Sequence, residues 1–323
     1  MPEPQLCAVV LSYRNEDTVI GAIDSLLEQR VPIEIVVSHS GGGPTPELVA
    51  RAHPSVPVVA TDVRRLPGEA RNAGVLATRA PYVSFLAGDC RALPGWVQGR
   101  LRRHLEGAGA VASALTPAEP GLIALAAHLL QNSFRLPGIE VSPLLRSGLS
   151  YSRTLLDLHG PFPQTLSFGE DIAFNDRLIE AGVEIVVAPD VVAAHHYPTA
   201  VRSLVSDQFR RGRQRGSIQR GPLRTMPLLA GAMLAPGLAL SRAVRSQSAI
   251  SPRRLAVVTP LLLLGSMATA AGTVTGDGSA PQFSPELESL RRRMWLRRTL
   301  ATSSSSTGEE RPRSALVERS RPD

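Results

Sequence analysis

One carboxylate in a suggestive setting is the first sign of chemistry in this chain. Residues 82–97 read Tyr-Val-Ser-Phe-Leu-Ala-Gly-Asp-Cys-Arg-Ala-Leu-Pro-Gly-Trp-Val. The apolar run 82–86 predicts a buried strand that ends in a small-residue turn carrying Asp89, and Pro94-Gly95-Trp96 opens a helical pattern. Open α/β sheets bind ligands beyond the carboxyl ends of their strands, and a carboxylate there can hold a divalent cation against a phosphate. A second acidic group is the pair Glu170-Asp171, which follows Gly169 and starts another helical pattern. Acids in a first helical turn also stabilise the helix dipole with no chemistry at all, so the pair alone leaves both readings open. His195-His196 close a short apolar run. Neutral imidazole is a common metal ligand, though a core or loop histidine is the plainer alternative. Arg210, Arg211 and Arg213 form a basic stretch that is either a phosphate contact or a solvated helix face.

These residues need elements to position them. The continuous apolar run at 7–11 predicts a strand buried on both faces, and the largely apolar stretches at 33–37, 56–60 and 82–86 predict three further strands. Three-four spacing or helix-start signals predict helices at 16–29, 46–52, 67–79 and 96–105. Repeated βα units with short loops imply a doubly wound, mostly parallel sheet. Further along, the pattern predicts a strand at 109–115, a helix at 120–135, and an irregular stretch at 136–148. Residues 150–158 lead into the turn His159-Gly160-Pro161-Phe162-Pro163, before a helix at 169–181. Two short strands (183–187 and 191–194) and a basic helix at 199–216 complete this part.

Composition divides the chain. All 35 basic residues are arginine; residues 1–200 hold 15 of them against 20 acids, and the remainder holds 20 against 8. A basic tail on an acidic globular part suggests an anionic partner for the tail. Nucleic acid is a poor candidate, because aromatics are 4% of the chain and do not interleave with the arginines. Two cysteines exclude a disulfide framework, and residues 1–12 lack the pattern of a signal peptide, so a cytoplasmic setting is expected. Residues 225–241 and 255–276 carry no charge. The second stretch is long enough to cross a bilayer, but Pro236 and Pro260 interrupt the two, and a crossing pair would export Arg242, Arg245, Arg253 and Arg254 against the positive-inside rule. An interfacial or re-entrant pair on anionic headgroups at the cytoplasmic face is preferred over a spanning hairpin or helices packed on the core. The stretch 291–298 would add to that attachment, and 302–323 has the composition of a disordered tail. The expected division is 1–218 catalytic, 219–301 membrane-associated, and 302–323 disordered.

Four pieces, in order and in register, resemble glycosyltransferase family 2. They are Val9-Val10-Leu11-Ser12-Tyr13-Arg14-Asn15 with Ser25-Leu26-Leu27-Glu28-Gln29; Gly68-Glu69-Ala70-Arg71-Asn72-Ala73-Gly74; Phe85-Leu86-Ala87-Gly88-Asp89-Cys90 with Pro94-Gly95-Trp96; and Phe168-Gly169-Glu170-Asp171 with Arg177-Leu178. The resemblance covers roughly residues 6–215. It implies a nucleotide-diphospho-sugar transferase (GT-A type) sheet, followed here by C-terminal apolar helices. It also implies a nucleotide-sugar donor, a hydroxyl acceptor, a Mg²⁺ or Mn²⁺ ion, and inversion at the anomeric carbon; the apolar and basic tail, rather than these motifs, is what points to a lipid-linked or envelope glycan as the acceptor.

Carried over by position, Asp89 is the metal residue and Asp171 the base that takes the acceptor proton, with Glu170 orienting the acceptor or tuning its neighbour. Ser12, Tyr13, Arg14, Ser38 and Arg71 are the donor-binding candidates, and His196 is a late metal ligand. Two positions depart from the pattern. Ala87 stands where the family's Asp-x-Asp loop has its first acid, and Ser38-His39-Ser40 replaces an acidic exit from the second strand. Both departures motivate an alternative, a degenerate relative that binds nucleotide sugar or acts as a membrane adaptor without turnover.

Overall fold

The computed structural model of the chain describes residues 3–139, 148–166, 169–218, 222–248 and 250–276. The expectations for 140–147, Phe168, 291–298 and the 302–323 tail lie outside the described residues. Residues 1–283 group as one compact unit.

Five strands and four helices come first: β1 (Leu6–Ser12), α1 (Val19–Leu27), β2 (Glu34–His39), α2 (Thr45–Ala52), β3 (Val58–Val59), α3 (Pro67–Leu76), β4 (Tyr82–Ala87), β5 (Cys90–Ala92) and α4 (Trp96–Leu105). There follow β6 (Ala110–Pro117), α5 (Leu122–Asn132), a 3-10 turn at Ser133–Arg135, β7 (Ser150–Ser152), α6 (Arg153–His159), α7 (Glu170–Glu180) and β8 (Ile185–His195). Three longer helices end the described part: α8 (Val201–Ile218), α9 (Pro222–Arg245) and α10 (Pro252–Val274). The sheet order is β3-β2-β1-β4-β7-β6-β8-β5. β3, β2, β1 and β4 run parallel, as do β6 and β8, while β7 is antiparallel to both β4 and β6 and joins the two halves.

The apolar run of β1 is buried on both faces because the two faces meet different layers. Leu6, Ala8 and Val10 pack with Ile23 and Leu26 of α1 and with Trp96 and Val97 of α4. Cys7 and Val9 face Phe85, Phe162, Phe174 and Leu178 on the other side. Each such large side chain contributes about 1.5–3 kcal/mol on burial.

Two features differ from the sequence reading. Residues 90–92, read as part of a turn, form β5, whose Cys90 pairs with His195 and Ala92 with Ala193 in antiparallel register. A three-residue strand is too short to show a period, so only its pairing partner reveals it. The two strands read at 183–187 and 191–194 are one strand, β8, which passes Pro189-Asp190 at a register shift opposite Ser113/Ala114. A bulge at the register shift accommodates the proline within a continuous strand.

The apolar helices α9 and α10 continue through Pro236 and Pro260, expected from sequence to interrupt them, and α9 also contains Pro227. By length and composition both are able to cross a membrane. They pack against α5 and α8 around Leu125, Leu129, Leu204, Val258 and Leu262. The α8–α10 crossing is close: a Cβ at Gly212 would lie 2.1 Å from the Thr269 carbonyl oxygen, and one at Gly272 would lie 2.1 Å from that of Phe209. Gly212→Leu is therefore expected to destabilise the protein by about 1–3 kcal/mol, read as a fall in Tm. The control is Gly231→Ala on α9, where an added Cβ meets nothing; its Tm should stay level or rise slightly.

Candidate active site

The site lies at the carboxyl ends of β1 and β4, where the parallel half meets α3 and α7. Gly169 is held at φ +82°, a backbone that favours glycine, and turns the chain into α7. Glu170 then points back at α3, where its Oε1 accepts from Arg71 Nε at 2.8 Å. The pair is buried, with Glu170 5% exposed. The Arg71 guanidinium also lies over the rings of Phe85 (4.7 Å) and Phe162 (5.6 Å). Glu170 thus ties down an arginine, which suits the tuning role better than direct contact with an acceptor.

Asp171 takes the other direction. Its side chain lines a cavity of about 230 Å³ shared with Arg71, Phe85, Ala87, Cys90 and Trp96. Desolvation, reinforced by the negative charge of Glu170, pushes its carboxyl up to about 6 against the pull of Arg71 and Arg135. A carboxylate tuned to that range is a competent general base near neutral pH.

Ala87 and Cys90, two residues before Asp89 and one after it, line the same cavity. Gly88 allows this turn to lie against Asn15, because a Cβ at 88 would fall 2.0 Å from Asn15 Nδ2. The β5–β8 pairing sets what faces Asp89: His195 Nε2 is 3.5 Å from Asp89 Oδ2, and the Cys90 thiol lies 3.8 Å from Asp89 Oδ1. His196, the histidine selected from sequence, goes elsewhere. Its Nδ1 is 2.7 Å from Glu119 Oε1, and its backbone N–H donates to the Asp89 carbonyl. The sequence offered a pair of histidines, and only the strand register chooses between them.

Asp89, Cys90 and His195 place one potential ligand atom each within 4.8 Å of the others. Burial holds the His195 pKa below its usual value despite Asp89, so the ring is neutral and ligand-competent, and its buried Nδ1 has no hydrogen-bond partner. The same burial raises the Cys90 thiol, which stays protonated. The donors on offer are therefore one carboxylate oxygen and one neutral imidazole nitrogen, an O/N set that suits Mn²⁺ better than the oxygen-preferring Mg²⁺.

The donor-side candidates separate. Ser12 is buried, its Oγ 2.8 Å from Asn15 Oδ1 and 2.9 Å from His39 Nδ1, so it joins the ends of β1 and β2. Ser38 is also buried and donates its hydroxyl to the Ala70 carbonyl on α3. Tyr13 is exposed, lies against Gly41, and carries Arg14 and Arg64 over its ring at 5.3 and 5.1 Å. Arg14 itself takes a positive φ of 53°. Tyr13 with its two arginines is the accessible part of this group. Sequence reasoning passed over Arg100 and Arg135, which also line the cavity; each is an ordinary helix or turn arginine until the fold closes over it.

Residues 7–130 match the family model described as Glycosyl transferase family 2. The succinoglycan biosynthesis protein ExoO of Rhizobium meliloti (strain 1021) is 30% identical over 215 residues, 60% of this chain and 61% of that protein. The pre-mycofactocin glycosyltransferase of Mycobacterium tuberculosis (strain CDC 1551 / Oshkosh) is 29% identical over 198 residues, 57% of this chain and 42% of that one. The chain thus spans less than two thirds of the length of these curated relatives. Among solved structures, the mannosyltransferase PcManGT from Pyrobaculum calidifontis, in complex with GDP-Man and Mn²⁺, superposes with a TM-score of 0.54 at 18% identity. That match covers 85% of this chain and 88% of the other. At such identity it establishes the shared GT-A type sheet.

The raised carboxyl of Asp171 has a consequence for stability. A carboxyl raised on folding binds its proton more tightly in the native state, so native stability falls as pH rises from about 4 through 6. The groups facing it are Glu170, Arg71, Arg135 and Tyr151. Asp171→Asn should therefore stabilise the protein at pH 8 by about 1–2 kcal/mol after screening by solvent in the cavity. At pH 4 the change should be near zero, a contrast that denaturant unfolding at the two pH values measures.

Proposed function

From the premise that residues 7–130 carry a glycosyltransferase family 2 domain, we propose that the protein transfers a sugar from a nucleotide-diphosphate donor to a hydroxyl acceptor with inversion. The observation that carries this reading is Asp171: a carboxylate with a raised pKa, in a cavity walled by the residues around Asp89. The acceptor oxygen attacks the anomeric carbon as its proton passes to a carboxylate oxygen of Asp171. The bond from that carbon to the diphosphate oxygen breaks, and the nucleoside diphosphate leaves with the electron pair. Asp89 and His195 would hold a Mg²⁺ or Mn²⁺ ion, which offsets the charge on the departing diphosphate. Arg71, fixed by Glu170, keeps a positive charge beside the base. Tyr13, with Arg14 and Arg64, offers a stacking surface for the nucleobase.

Ala87 in place of an acid, together with a Ser38 hydroxyl spent on the Ala70 carbonyl, favours a second reading. In it, the chain binds nucleotide sugar without turnover. One experiment separates the two. The purified chain is incubated with Mn²⁺, a panel of nucleotide sugars and a membrane extract as acceptor, and products are followed by mass spectrometry. Transfer is expected, with Asp171→Asn lowering kcat by about 10²–10⁴-fold at unchanged donor affinity. The wild-type kcat/KM should lose its base on acidification through about pH 6. Donor binding without any transfer would establish the second reading.

The two apolar helices support a lipid-linked or envelope acceptor. On α9, small residues (Ala232, Ala239 and Ala243) face inward, while Met226, Met233, Leu234, Leu238 and Val244 are exposed. On α10, Val257, Leu263, Leu264 and Met267 are exposed too. This polarity is reversed relative to a helix of a water-facing surface, and an apolar face of this extent fits a bilayer. Arg245, Arg253 and Arg254 are exposed near the α9–α10 turn, where anionic headgroups would meet them. The chain is therefore expected to float with phosphatidylglycerol-containing vesicles in a density gradient. Leu234→Glu with Leu238→Glu should leave it in the dense fraction, and a wild-type chain that never floats would remove the membrane from the account.

A further inference from the structure

The cavity holds more positive charge than its known partners balance. Arg100 of α4 is fully buried. Its Nη1 donates to the Val111 carbonyl (3.0 Å) and Ser150 Oγ (3.1 Å), and its Nη2 to the Gly148 carbonyl (2.7 Å). The Trp96 ring lies 4.2 Å from its guanidinium carbon. All of these partners are neutral, and Arg100 Nε is buried with no partner. Among the described residues, Arg135, at the end of the 3-10 turn, has one side-chain hydrogen bond, from Nη2 to Ser113 Oγ at 3.4 Å, and its Nε is likewise buried and unpartnered. Neither arginine forms an ion pair among the described residues, in contrast to Arg71 with Glu170.

The electrostatics agree with the geometry. Burial, and then the positive charge of Arg135, pulls Arg100 down to about 9; burial also lowers Arg135. Two desolvated guanidiniums without an acidic partner are an unusual cavity wall, since buried charges are normally paired. Arg100, Ser113, Arg135 and Gly148 line the same cavity as Asp171. Its volume of about 230 Å³ lies below the 300–1,000 Å³ usual for whole drug-sized ligands. A single sugar ring or a small acid group fits the space, and a nucleoside diphosphate does not.

We propose that this end of the cavity is a subsite for a small anionic group, a carboxylate or phosphate monoester, held by the Arg135 guanidinium with the Arg100 charge behind it. Arginine presents its donors in a fork that matches both groups. The group arrives on one of two molecules: the sugar being transferred, as in a hexuronic acid donor, or an acceptor whose hydroxyl lies a few atoms from its acid. In either case the anion anchors the ligand near the carboxylate that removes the acceptor proton. Only the source of the anion rests on the transferase reading; the binding itself does not.

The test begins with inorganic phosphate titrated calorimetrically into the full chain. Arg100 is too deeply packed for its variants to be informative, so Arg135 carries the test. Phosphate is expected to bind the wild type, to weaken at least tenfold in Arg135→Gln, and to bind Arg135→Lys, which keeps the charge without the fork, more tightly than Arg135→Gln but more weakly than wild type, with all three proteins matched by circular dichroism. No binding to the wild type, or equal binding by wild type and Arg135→Gln, overturns the proposal. Two further arms identify the source. UDP-glucuronate is compared with UDP-glucose, and glycerol 3-phosphate with glycerol, each by affinity in the presence of Mn²⁺. At least a tenfold preference for the anionic member is expected in one arm, and its loss in Arg135→Gln. No preference in either arm overturns the subsite. A chain that binds phosphate through Arg135 yet transfers no sugar refutes the transferase reading and leaves the subsite standing.

Discussion

The Arg71–Glu170 contact is the constraint on which the site depends. It joins α3 to α7 across 99 residues of sequence, in a place with little water to soften the cost of two charges. A buried ion pair seldom adds net stability over apolar side chains of the same shape, because desolvation consumes most of the attraction, while loss of one partner leaves an uncompensated charge. Its value here is positional. Arg71 is clamped over Phe85 and Phe162, which pack edge to face at 5.4 Å in the core beneath. Glu170 is clamped by Arg71, and the first turn of α7 is oriented in consequence. Asp171, the next residue, is left facing the cavity with its carboxyl raised by burial and by the fixed negative charge of its neighbour. One contact thus sets the direction, the environment and the proton affinity of the proposed base.

The proposed metal side rests on a different constraint, the antiparallel pairing of β5 with β8. Three residues of strand put Cys90 opposite His195 and so bring an imidazole to Asp89. With no side-chain oxygen at Ala87, His195 is the proposed second ligand, one that the loop itself does not supply. The neutral state that burial imposes on the ring suits it to that place.

The parallel half of the fold was readable because buried strands leave continuous apolar runs, and the helices between them leave three-four periods. β1, β4 and α4 lie within a residue or two of where those patterns put them. The elements that misled are those whose identity depends on a partner. β5 is too short to have a pattern, and β8 hides a proline in a bulge. The site divides the same way. Asp89 and Asp171 stand out in sequence because each sits beside a recognisable turn. His195 against His196, and the burial of Arg100 and Arg135, are decided by register and by chain closure, which no local window contains. The tail is a third case: its lack of charge was plain, but that α9 turns its alanines inward and its larger side chains outward is a fact of packing alone.

The most direct measurement of the central claim is a crystal structure of the full chain with Mn²⁺ and a nucleoside diphosphate, with the metal located by anomalous scattering. A manganese peak is expected on Asp89 and His195, with the terminal phosphate bound to it and open space between that phosphate and Asp171. A metal and nucleotide bound away from Asp89, or a phosphate with protein packed between it and Asp171, would contradict a single transfer site built from these residues.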